Sequence, residues 1–109
     1  MRAIVVEEFG GPEVLKLAEV ERPEQGEGEI LIHVKAAGIN YADTMRRQNQ
    51  YLKKQNVPFT PGSEVAGTVE AVGGGVSNGS EGDEVVVLGN DSGYAEYAVA
   101  PAASVIPVP

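Results

Sequence analysis

Fourteen glycines and seven prolines punctuate this chain of 109 residues. Glycine admits turn conformations and proline removes a backbone donor, so such spacing favours short strands joined by turns over long helices. Arg2 to Glu7 reads as a strand, and Gly10-Gly11-Pro12-Glu13 breaks it. Leu15-Lys16-Leu17 alternates and is expected to pair back as a hairpin. Glu29 to Ala37 is the clearest strand, with Ile30, Ile32, Val34 and Ala36 on one face and Glu29, Leu31, His33 and Lys35 on the other. Asn40 to Gln48 can form a short helix, with Asn40 as its N-cap, Asp43 in its first turn and Arg46 and Arg47 at its basic end. Val57 to Gly62 carries two prolines and cannot be regular. Further strands are expected at Val65 to Val72, Asp83 to Leu88, Glu96 to Ala100 and Val105 to Pro107. Seven or eight short strands with one small helix predict a mainly β, barrel-like domain spanning residues 1–109.

Charge narrows the function. The net charge is −8, whereas a nucleic-acid binder needs a basic surface to displace phosphate counterions. An anionic membrane surface would also repel the chain, and no segment approaches a transmembrane length. Neither nucleic acid nor membrane is therefore expected as a partner. Eight of the sixteen acids lie between Glu7 and Glu29, which predicts a solvated acidic end. Half of the eight basic residues are Arg46, Arg47, Lys53 and Lys54. They read as a solvated helix end and loop, or as a cationic rim that steers an anion. Cysteine is absent, which removes disulfides, thiolate nucleophiles and cysteine-ligated zinc. That fits a reducing cytoplasm.

Single motifs carry little chemistry. Gly73-Gly74-Gly75 is not a dinucleotide loop, because position 78 is Asn and more turn residues follow where a helix is needed. Asn78-Gly79-Ser80 and Asn90-Asp91-Ser92 read as polar turns. His33 is the single histidine. On a strand face it reads as a packed or surface residue, since a general base needs a partner nearby. The acids show no metal-ligand spacing. Tyr51 reads as a packing anchor with a wet hydroxyl, and Asn40 as a helix cap.

Four stretches together are more specific. They are Met1-Arg2-Ala3 through Phe9-Gly10-Gly11-Pro12-Glu13-Val14-Leu15, Val34 to Thr44, Pro61-Gly62-Ser63-Glu64-Val65-Ala66-Gly67 running on to Gly82-Asp83-Glu84-Val85, and Gly93-Tyr94-Ala95-Glu96-Tyr97. In this order, over nearly the whole chain, they resemble the zinc-free quinone oxidoreductases related to ζ-crystallin, in the medium-chain dehydrogenase/reductase superfamily. The resemblance implies a GroES-like, partly open β-barrel with one short helix. In zinc-dependent relatives a Cys occupies the position of Asn40 and a His that of Ser63. Neither residue here can supply a thiolate or imidazole, so no metal is expected.

The resemblance further implies that Asn40, Tyr51 and Ser63 line the cleft near nicotinamide and substrate. Asn40 and Tyr51 are the implied catalytic residues: Asn40 would bond the substrate carbonyl or the carboxamide, and Tyr51 would do likewise or donate a proton. Asn40 and Ser63 are the implied cofactor contacts. Many relatives carry Tyr where this chain has Met45, which cannot donate a hydrogen bond. The cofactor would be NADPH, held mostly by a Rossmann domain whose glycine fingerprint does not occur in these 109 residues. The substrate would be a quinone or an α,β-unsaturated carbonyl compound. The isolated chain is expected to fold, to be inactive, and to self-associate or dimerise through the face its cofactor domain would cover. The alternative is an excised or designed GroES-like folding or binding module with no catalysis of its own.

Overall fold

The computed structural model describes residues 1–49, 56–89 and 92–109. Among the described residues there are seven strands: β1 (Arg2–Val6), β2 (Leu15–Glu19), β3 (Glu29–Gly38), β4 (Glu64–Val72), β5 (Glu84–Leu88), β6 (Tyr97–Pro101) and β7 (Val105–Pro107). A short helix, α1 (Tyr41–Arg47), follows β3. The fold is mainly β, as the turn spacing predicts.

The strands form two open sheets. The hairpin β1-β2 pairs Arg2 with Glu19 and Val6 with Leu15. The larger antiparallel sheet runs β6-β3-β4-β5-β7. The segment before β6 joins the two sheets. Ile4 donates to the Tyr94 carbonyl at 2.8 Å and Glu96 donates to the Arg2 carbonyl at 3.1 Å, while Val34 of β3 donates to the Glu96 carbonyl at 2.8 Å. The Arg2 amide in turn donates to the exposed Glu96 carboxylate at 2.6 Å, which holds that carboxyl below its ordinary pKa.

The core is aliphatic. Ile30, Ile32, Val65, Val69, Val85, Val87, Ala100 and Val105 form one buried cluster. They reach it by the period-two alternation of strands. Two irregularities modify that pattern. Between Val34 and Ala36 the register with β4 shifts, because Lys35 is an extra residue in β3. Inserting one residue reverses the facing of everything beyond it. Ala37 therefore packs on the core and Ala36 is exposed, so Ala36 leaves the face it was expected to share with Ile30, Ile32 and Val34. Leu31, on the face it shares with Glu29, His33 and Lys35, is only 3% exposed. It borders the loop segment Arg22–Gln25, so the acidic end covers apolar surface as well as meeting solvent.

His33 is packed rather than poised as a base. It faces Tyr97 in register and stacks on its ring at 4.9 Å. Arg22 lies 4.0 Å from the same ring centroid and pairs with Glu70 at 3.2 Å. No helix among the described residues is long and apolar enough to cross a membrane.

Candidate functional site

The site lies at one end of the larger sheet, and strand pairing explains its position. Gly38 ends β3 opposite Glu64, which begins β4. Asn40 sits two residues beyond Gly38, and Ser63 sits one residue before Glu64. Antiparallel pairing therefore brings the two side chains together from 23 positions apart, and the Asn40 Nδ2 donates to Ser63 Oγ at 3.0 Å. Leu88 continues the row as the partner of Glu64 on β5. Beside the pair, Ile39, Tyr41 and Leu88 are 84%, 81% and 55% exposed. Leu88 also borders a shallow groove lined by Ala36, Gly38, Glu64, Ala66 and Val86.

Asn40 is indeed the N-cap of α1, with extended backbone before the first helical residue. Asp43 closes the turn: its Oδ2 accepts the Asn40 backbone N–H at 3.1 Å. The Nδ2 end of the Asn40 side chain is the end that reaches Ser63. Being a cap and facing the site are thus compatible roles for one residue.

Asp43 does more than close the turn. It is 5% exposed. Its Oδ1 accepts the Gly62 backbone N–H at 3.3 Å and its Oδ2 accepts the Tyr94 hydroxyl at 2.8 Å. The Arg46 guanidinium lies 3.8 Å from Oδ1. Burial, followed by the hydrogen bond to Asp43, pushes the Tyr94 hydroxyl up to about 12, while the positive charge of Arg46 pulls the other way. Tyr94 therefore stays a protonated donor throughout the physiological range.

The Pro61–Gly62 turn can only be built with glycine. Gly62 has φ +112, and a Cβ there would lie 2.7 Å from the Tyr94 nitrogen and 2.8 Å from the Gly93 backbone. The close approach is sealed by Gly93 N–H to Gly62 carbonyl at 3.0 Å and Tyr94 N–H to Pro61 carbonyl at 2.9 Å. That contact delivers Tyr94 to Asp43.

The basic helix end differs from the expected solvated rim. Arg46 is 7% and Arg47 8% exposed. Arg46 spreads over Phe59 at 5.4 Å, and Phe59 meets Phe9 at 6.4 Å. The Arg47 carbonyl accepts the Gly10 N–H at 3.0 Å, which ties α1 to the hairpin. Among the described residues the Arg47 Nη1 has no hydrogen-bond partner. Two buried guanidinium groups cannot steer a ligand from solution, so the steering reading fails for them. Phe59 and the hairpin close over this end of the helix.

Of the residues implied by the resemblance, Asn40 and Ser63 are brought into contact. Tyr51 lies outside the described residues, as do Lys53 and Lys54. Met45 is half-buried. Sequence reasoning missed Asp43 as a hub and missed Tyr94 and Gly62 as parts of the site. The Asn-x-x-Asp spacing was the available signal for Asp43. Tyr94 meets Asp43 across 51 positions, and no local pattern marks such a contact. No group of three or more His, Asp or Glu side chains among the described residues could hold a metal ion.

Known proteins share this chain's fold and much of its sequence. The family model of the alcohol dehydrogenase GroES-like domain matches residues 26–109. A quinone oxidoreductase of Lama guanicoe is 52% identical over 102 residues, which is 92% of this chain and 31% of the relative. Mycobacterial Rv1454c, solved in complex with NADPH, superposes with a TM-score of 0.94 at 46% identity, covering 100% of this chain and 34% of that one. The quinone oxidoreductase of Thermus thermophilus, also solved with NADPH, gives 0.83 at 36% identity over 100% of this chain and 32% of that one. The chain thus spans about a third of the length of these relatives. It belongs to the alcohol dehydrogenase GroES-like domain family, where its similarity lies with quinone oxidoreductases of the medium-chain dehydrogenase/reductase superfamily.

Proposed function

We propose that these residues form the substrate-facing wall of an NADPH-dependent oxidoreductase that reduces a quinone or an α,β-unsaturated carbonyl compound without a metal. The contact between Asn40 and Ser63 carries this reading. By donating one N–H to Ser63, Asn40 keeps a second N–H, and Ser63 keeps its own O–H to donate. Two donors on adjoining side chains match the carbonyl oxygen of a carboxamide. They match a substrate carbonyl oxygen equally well. The residues present therefore fit a nicotinamide. They do not fit a zinc ion, since a paired amide and hydroxyl offer neither thiolate nor imidazole.

NADPH would supply the hydride. The chain's own part is to orient and to stabilise charge. The Ser63 hydroxyl, polarised by the Asn40 donor, is a stronger donor than a free hydroxyl. Aimed at the acceptor oxygen, it stabilises the negative charge that builds there as hydride reaches carbon. Ile39, Tyr41 and Leu88 offer exposed apolar surface beside the pair, suited to a planar ring and to excluding water. Tyr51 belongs to the same reading through the resemblance, as a further hydrogen-bond donor to substrate.

The 109 residues alone carry no glycine-rich phosphate loop, so the reading assigns cofactor capture to a separate domain. The test is a hybrid in which this chain replaces the matching first third of the mycobacterial relative. The hybrid should oxidise NADPH with a quinone, and the 109-residue chain alone should not. Replacing both Asn40 and Ser63 by Ala in the hybrid should lower the rate about 100-fold, the loss expected when an oriented donor set is removed. A double variant that keeps the hybrid's rate sinks the proposal, and so does steady turnover by the chain alone.

A further inference from the structure

We infer that Asp43 is the positioning residue of the Asn40–Ser63 pair, acting with Tyr94 through the two backbone amides it holds. The inference rests on the proposed role of that pair. Asp43 does not line the groove. Its carboxylate instead gathers three donors: the backbone N–H of Asn40, the backbone N–H of Gly62 and the hydroxyl of Tyr94. The first belongs to one site residue. The second belongs to the immediate neighbour of the other. One buried carboxylate thus sets the separation of the two segments, and the 3.0 Å contact between Asn40 and Ser63 follows from it.

A merely structural ion pair would be arranged differently. The Arg46 guanidinium is the obvious partner, yet at 3.8 Å it stands farther off than any of the three donors. These three shorter contacts come from the segments that carry or flank the site. The carboxylate form matters too. An Asn at this position has the same shape, but one end of it donates and would meet one of the converging donors. Tyr94 fills a further acceptor position with an O–H that remains protonated throughout the physiological range. Removing that O–H frees the carboxylate to rotate away from Gly62.

The test follows the side-chain amide of Asn40 by nuclear magnetic resonance in the ¹⁵N-labelled chain. In the wild type, one Nδ2 proton is bonded to Ser63 and should exchange with water more slowly than the other. Ser63→Ala defines the unbonded rate. Asp43→Asn and Tyr94→Phe should each speed that exchange by at least about fivefold, the factor set by one net hydrogen bond. The backbone amides of Val69 and Val87 should keep their protection, which shows the core intact. Wild-type protection of the Asn40 proton in Asp43→Asn overturns the inference. Should that variant not fold, wild-type protection in Tyr94→Phe overturns it instead. In the hybrid enzyme, Asp43→Asn should lower kcat about tenfold at unchanged KM for NADPH, as expected for a small misplacement of oriented groups. It should cost nothing further when Asn40 and Ser63 are already Ala. A further loss in that background also overturns the inference. A hybrid with no activity at all would sink the oxidoreductase reading, while the Asn40 measurement still decides the role of Asp43.

Discussion

The centre of the larger sheet and the end that carries the site are held by different physics. The centre is an aliphatic cluster of Ile30, Ile32, Val65, Val69, Val85 and Val87 with Ala100 and Val105. Packing there is non-directional, so a lost methylene costs energy in proportion to the gap it leaves and neighbours share the strain. The end that carries Asn40 and Ser63 is organised by one carboxylate with three hydrogen-bond donors. There the geometry is set by direction, and a single missing partner leaves a buried polar group unsatisfied. The same protein therefore keeps a tolerant centre and an intolerant rim. A loss of stability in the centre need not move the site, whereas a small change at the rim must.

The largest effect should come from breaking the rim. Asp43→Ala leaves Arg46 without its carboxylate and three donors without an acceptor, and should destabilise the chain by about 3–5 kcal/mol in urea unfolding. Ile32→Ala in the centre should cost about 2–4 kcal/mol by the same measurement. Unlike the rim variants, it should leave the Asn40 side-chain resonances in place. An Ile32→Ala chain with displaced Asn40 resonances would break the contrast between centre and rim.

Gly62→Ala is expected to be intermediate, about 1–3 kcal/mol, because its φ of +112 and its contact with Gly93 both exclude a Cβ. A cost below that range would mean that the Pro61–Gly62 turn can retreat from Tyr94. Tyr94→Phe should cost about 1 kcal/mol at neutral pH.

Tyr94 also sharpens the comparison through pH. Its hydroxyl is held at about 12 against an ordinary value of 10.0, through burial and the carboxylate of Asp43, with Glu64 adding to the shift and Arg46 opposing it. Between those values the unfolded chain gives up the proton and the folded one keeps it. The stability due to Tyr94 is therefore full below pH 10 and falls as pH rises through about 12. Urea midpoints measured across that window should fall less steeply in Tyr94→Phe than in the wild type. Equal slopes would show that Tyr94 is not held by Asp43. Ser63→Ala should be the mildest change, about 0.5 kcal/mol. It removes the hydroxyl that accepts from Asn40 while the buried hub stays whole.

Much of the fold was legible in the residues. The hairpin, the strand from Glu29 and the helix capped by Asn40 all follow from local alternation, breakers and caps, which act over a few residues. The resemblance pointed to Asn40 and Ser63, and the sheet brings them into contact. What escaped the sequence was everything that depends on distant segments. Arg46 and Arg47 looked solvated because helix ends are usually wet, but the hairpin and Phe59 close over them. The facing of Ala36 and Ala37 was reversed by an extra residue at Lys35, a bulge with no signature of its own. The burial of Leu31 was hidden because the alternation cannot show that the loop Arg22–Gln25 lies beside it.

By itself the sequence determined a chain of short strands, because glycine and proline act where they stand, and it determined that no thiolate is available, because the chain has no cysteine. Only the tertiary structure decided that Asp43 would be the hub of the site. Its partners Gly62 and Tyr94 lie 19 and 51 positions away. They reach it because strand pairing and a glycine-to-glycine backbone contact bring them there, and those are properties of the assembled sheet.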